Sequence, residues 1–150
     1  MNKDSIVKKE FFLITKILPL RRINLLKDNQ ARRDAIFPLL ADKVFDHPEL
    51  LGILKRKVKE WLKKDKSEFT YLIVGYTYYL SQNFKQAEAC LFKALEKNPR
   101  NLDIWFDFAF SLYHQGKAKH ELAKEILFNY DYFARGKAAD LKKYKKRNKD

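Results

Sequence analysis

Residues 67–99 read SEFTYLIVGYTYYLSQNFKQAEACLFKALEKNP, and the reading of this stretch decides the fold. Apolar residues recur at spacings of three and four on both sides of the break Ser81-Gln82-Asn83, which is the period of a helix and not the alternation of a strand. Tyr71, Val74, Gly75 and Tyr78 form the stripe of a helix from about Ser67 to Leu80. Ala87, Leu91, Ala94 and Leu95 form the stripe of a second, from Phe84 to about Lys97, which Asn98-Pro99 ends. Asn83 stands where a capping side chain is expected. Helices of about four turns joined by so short a break fold back on each other as an antiparallel hairpin.

The pattern repeats. Trp105, Phe108, Ala109 and Leu112 follow the first stripe, residue for residue, at an interval of 34. They belong to a third helix running from a cap at Asn101 to Gly116, and Leu122, Ala123, Ile126, Leu127 and Tyr130 mark a fourth. Glu121 stands 34 after Ala87, and the matching small residue, Ala123, comes two later, so Gln115 to His120 are expected to hold a longer loop. Upstream, Phe37, Leu40, Ala41 and Val44 stand 34 before the first stripe, and Leu54, Val58 and Trp61 stand 33 before Ala87, Leu91 and Ala94. This reads as a degenerate hairpin, with Asp46-x-Pro48-Glu49 starting its second helix.

A unit of this length and order resembles the tetratricopeptide repeat. Tyr71-x2-Val74-Gly75-x2-Tyr78 followed by Phe84-x2-Ala87-x3-Leu91-x2-Ala94-Leu95-x3-Pro99 keeps the family's spacing, with small residues where paired helices cross. The resemblance implies one all-α domain over residues 1–150, with hairpins at 34–67, 68–101 and 102–135 stacked as a short superhelix. An N-terminal helix from about Lys3 to Ile17 and a basic connector complete 1–33; a last helix, about Lys137 to Tyr144, and a basic tail fill 136–150. Such repeats need about three units or caps to bury their faces, and the terminal helices are expected to serve as caps.

Composition agrees. With 46% apolar residues, 34% charged and only 4 Gly and 4 Pro, the chain is suited to long helices and to a folded core. The lone Cys90 cannot form an intramolecular disulfide and reads as a structural thiol, which fits a reducing, cytoplasmic location. Lys16 interrupts the apolar run Phe11 to Leu20, Arg21 and Arg22 follow it, and no cleavage signature appears, so it is not read as a signal sequence. No stretch approaches the roughly 20 apolar residues that cross a bilayer.

No constellation for catalysis, metal or cofactor is legible, so the chain is read as no enzyme and as needing no cofactor. His114 and His120 are six apart across a break, and His47 sits in another; all three read as solvent-facing or loop residues. Asp103 and Asp107, one helical turn apart, read as a solvated acidic face. The family resemblance points instead to a groove. In that family the first helix of each hairpin lines the concave surface, which here implies Phe69, Leu72, Tyr76 and Tyr79 from one unit, with Asp103, Phe106, Phe110 and Tyr113 from the next. Aromatic residues in the place of the family's polar, tail-gripping ones imply an apolar or amphipathic segment of a protein partner. The groove is either open to that partner or filled by the N-terminal helix.

Charge marks a second candidate surface. The chain carries a net charge of +13. Much of it lies in Lys55 to Lys66, with Lys55, Arg56, Lys57, Lys59, Lys63, Lys64 and Lys66, and in Arg135 to Asp150, with Lys142, Lys143, Lys145, Lys146 and Arg147 at its centre. The first expectation is therefore a non-enzymatic protein-interaction adaptor or scaffold. The alternative is an RNA- or ribosome-associated protein that binds polyanions through these basic runs.

Overall fold

A computed structural model describes residues 2–128 except 20, 21, 24 and 27; of 29 and 30 it describes only the backbone. The described residues are helical, with no strand: α1 (Lys3–Phe12), α2 (Asn29–Asp46), α3 (Leu50–Lys64), α4 (Glu68–Leu80), α5 (Phe84–Lys97), α6 (Leu102–Tyr113) and α7 (Lys117–Phe128). The expected C-terminal helix and tail lie outside the described residues. The chain divides into two compact units, Met1–Lys57 and Val58–Asp150, whose sequence boundary falls within α3.

In the first unit Asn2 caps α1 by accepting from the Ser5 N–H at 2.8 Å. A π-helical turn, Leu13–Ile17, extends the helix to the residue expected from the sequence and closes with Leu18 N–H donating to Leu13 O at 2.8 Å. α1 buries none of its own side chains; burial begins at Leu13 and Leu18. Glu10 ties α1 to α3 through Arg56 (3.3 Å) and Lys57 (4.0 Å), and Lys9 pairs with Glu49 at 3.6 Å. The break expected at Asp46 to Glu49 falls between α2 and α3. Ile36 and Leu40 are the buried residues of α2, while Phe37, Ala41 and Val44 are half-buried, so the inner face is turned slightly from the expected stripe.

The second unit shows its repeat in the backbone. Ser67 caps α4 and Asn101 caps α6, each accepting from main-chain N–H groups of the first turn, and these caps stand 34 residues apart. The turns α4–α5 and α6–α7 each contain one residue in the left-handed region, Gln82 (φ 62°) and Gly116 (φ 107°), again 34 apart. Asn83 holds the cap position of α5 but makes no side-chain cap bond; its N–H donates instead to Tyr78 O at 2.9 Å. α5 ends at Lys97, as Asn98-Pro99 requires. Here Glu68 accepts from Asn98 and Asn101 at 3.0 to 3.2 Å, tying the start of α4 to the turn before α6. Trp105 Nε1 donates to Pro99 O at 2.6 Å.

Neighbouring helices α4, α5, α6 and α7 pack in sequence. Val74, Leu91, Ala94, Leu95, Trp105, Phe108, Ala109 and Leu112 are buried. One expectation needs correction. Gln115 to His120 hold no longer loop, because α7 begins at Lys117 immediately after Gly116. Lys119 anchors that start, donating to Glu88 at 2.8 Å and to Gln115 at 3.3 Å. α7 buries Ala123 and Ile126 and leaves Glu121 in solvent, which explains why the small residue appeared late.

Candidate functional site

The sequence of α4 is apolar around most of its circumference, and such a helix is buried on more than one side. Phe69 and Leu72, expected to line the groove, are accordingly core residues at 3% and 0% exposure and are closed to a partner. Tyr76 and Tyr79 are half-buried, as is Phe106, whereas Phe110 and Tyr113 reach solvent at 42% and 41%. The accessible surface is thus set by the ends of α4 and α6 and not by their starts.

Those ends carry a run of rings. Tyr76 and Tyr79 stack with centroids 6.1 Å apart, Tyr79 meets the edge of Phe84 at 5.6 Å, and Phe84 stacks on His114 at 4.5 Å. Tyr113 touches both His114 (5.6 Å) and His120 (3.8 Å). Offset and edge contacts of this kind fix ring orientation beyond what burial alone does. Gln115 supports the run from behind, donating to the carbonyls of Phe84 (3.2 Å) and Ser111 (3.0 Å). His114 is exposed as expected, but His120 is half-buried, its Nδ1 3.2 Å from Tyr113 O. Phe84 and both histidines were missed as members of this surface, because only the packing of two hairpin ends brings them together.

On α6, one turn before the exposed Phe110, stands Asp107. Its side chain is half-buried, and among the described residues its Oδ2, sealed from solvent, has no hydrogen-bond partner. Burial first, and the neighbouring Asp103 second, push its carboxyl up to about 7. Burial, then the Asp107 charge, likewise raise the Tyr79 hydroxyl of α4. The expected solvated acidic face is therefore half right: Asp103 is exposed and Asp107 is not.

The basic surface is also divided. Arg56 and Lys57 are engaged by Glu10, and Lys55 is half-buried, so Arg56 is not a free polyanion contact. Lys59, Lys63, Lys64 and Lys66 are exposed. Lys142, Lys143, Lys145, Lys146 and Arg147 lie outside the described residues. Residues 67–128 contain seven basic and seven acidic side chains, so the whole net charge of +13 resides in the remainder of the chain. Cys90 is half-buried and its thiol is pushed up to about 11 by burial, which keeps it out of thiolate chemistry at neutral pH.

Among the described residues no group of three or more His, Cys, Asp and Glu side chains could hold a metal ion, and no helix is long and apolar enough to cross a membrane. No family model matches the chain, and neither the curated proteins nor the solved structures include a match.

Proposed function

We propose that this chain is a non-enzymatic interaction module of tetratricopeptide-like construction, which docks a protein segment on the aromatic surface at the ends of α4 and α6. The observation that carries the reading is the exposure of Phe110 and Tyr113 on α6, with Tyr113 joined through His114 to the stacked Tyr79 and Tyr76. Exposed rings held by a rigid scaffold bury large area on binding at little entropic cost. The half-buried and exposed rings lie on a neutral region, so the partner need not be a polyanion. Affinity capture with nuclease present, using the intact chain and Tyr76→Ala/Phe110→Ala, tests this. Capture that survives nuclease and is lost in the double variant supports it; capture abolished by nuclease alone overturns it.

A second reading rests on a different observation. Lys59 and Lys63 are exposed, stand one turn apart on α3, and make no ion pair among the described residues. With the basic C-terminal run they would attract a polyanion such as RNA in a salt-dependent manner.

A further inference from the structure

The repeat supplies an internal control for Asp107. Thirty-four residues earlier the equivalent position is Ile73, fully buried, so this place in the unit takes an apolar side chain without difficulty. In the second copy it holds a carboxylate whose Oδ2 is sealed and unpaired among the described residues. A buried polar atom without a partner costs about 1–3 kcal/mol, more when charged. Local rules broken at such a cost concentrate at functional sites. Asp107 also stands one turn before Ser111 and the exposed Phe110 on α6, and its charge helps to raise the Tyr79 hydroxyl of α4.

We infer that the aromatic surface between α4 and α6 selects a cationic side chain: a partner segment, otherwise apolar, presents one Lys or Arg that passes beside Tyr79 and Phe110 to pair with Asp107. This deepens the docking reading and rests on it. Charge complementarity identifies the occupant, because residues 67–128 are neutral overall and the sealed Oδ2 of Asp107, one turn from the exposed Phe110, has no hydrogen-bond partner among the described residues. Aromatic faces stabilise an approaching guanidinium or ammonium, and the carboxylate supplies a charge-assisted acceptor. The net charge of +13 repels cationic peptides in general, so selection of one by this chain requires a specific site.

The test is panning a random peptide library against the intact chain, against Asp107→Asn and against Phe110→Ala. The expected result is enrichment, on the intact chain, of peptides with one Lys or Arg at a fixed place among apolar residues; Phe110→Ala abolishes it and Asp107→Asn removes only the cation preference, weakening those peptides at least tenfold. Peptides that need Phe110 but carry no fixed cation would overturn the cation inference and leave the docking surface standing. Absence of any Phe110-dependent enrichment would overturn both. The melting temperature of Asp107→Asn gives an independent reading: it rises if the carboxylate is unpaired in the free chain, and a fall would mean that the chain itself supplies the partner and would also overturn the inference.

Discussion

Gly75 of α4 lies against Leu91 of α5 so closely that a Cβ built on Gly75 would stand 2.7 Å from Leu91 Cγ and 3.3 Å from the Leu91 main-chain nitrogen. The two closest atoms, Leu91 Cγ and Cδ2 at 2.7 and 2.9 Å, belong to the Leu91 side chain, so that side chain must shift before any Cβ fits at position 75. Gly75→Leu should destabilise the fold by about 1–3 kcal/mol or more through overpacking. Gly75→Ala sets a gain of about 1 kcal/mol in helix propensity against the same clash, so its net effect should be smaller. Combined with Leu91→Ala, the Gly75→Ala clash should largely disappear. Urea midpoints of the four species of this double-mutant cycle measure the coupling; additive effects would deny the contact.

The two left-handed turn residues make opposite predictions. Gln82 holds φ 62° with a Cβ, which costs about 1–2 kcal/mol, whereas Gly116 holds φ 107° without one. Gln82→Gly should raise stability by about 0.5–1 kcal/mol and Gly116→Gln should lower it by about 1–2 kcal/mol. Thermal unfolding of both variants checks whether the 34-residue period extends to the turns.

Stability should depend on pH through Asp107. Its folded-state carboxyl titrates near 7, against 3.8 for an ordinary aspartate, so between those values the folded chain holds a proton that the unfolded chain has lost. The fold therefore loses stability from this group as pH rises through that window, and the loss levels off above it. Asp107→Asn should gain about 1–3 kcal/mol at about pH 8 and little at about pH 4. Urea unfolding at the two pH values compares them, with Asp103, Tyr79 and His114 unchanged in both proteins.

Much of this architecture was legible in the sequence, and the reasons are local. The stripe Tyr71 to Tyr78, its copy Trp105 to Leu112, the stop at Pro99 and the cap at Asn101 depend on spacing along one helix, which a sequence displays directly. The groove was less legible because each helix has several apolar sides. Nothing in the local pattern separates Phe69, buried at 3%, from Phe110, exposed at 42%. The register of α7 misled for a related reason: Gly116 permitted an early helix start, and Lys119 found Glu88 across the hairpins. Asp107 looked like surface because a pair of acids one turn apart usually is; its burial depends on helices packed from elsewhere in the chain.

Core and surface rings should respond differently to truncation. Phe69→Ala should cost about 3–5 kcal/mol as a buried aromatic. Phe110→Ala, at a position 42% exposed, should cost under about 1 kcal/mol. Denaturation of both variants beside a capture assay separates folding from binding: equal losses of stability would make Phe110 a core residue and remove the docking surface.

If the basic runs hold RNA with about six phosphates neutralised, raising salt from about 50 to about 200 mM should weaken binding about a thousandfold, and ending the chain at Arg135 should make that dependence shallower. A segment docked on the rings should respond far less, because its affinity comes from buried area. Filter binding across a salt series discriminates the two.

The most direct measurement of the docking account is a side-chain NMR map of the intact chain with an enriched peptide bound. The account predicts shifts concentrated at Tyr76, Tyr79, Phe110 and Tyr113, with Lys59 and Lys63 unmoved; shifts confined to the lysines, with the four rings unchanged, would contradict it.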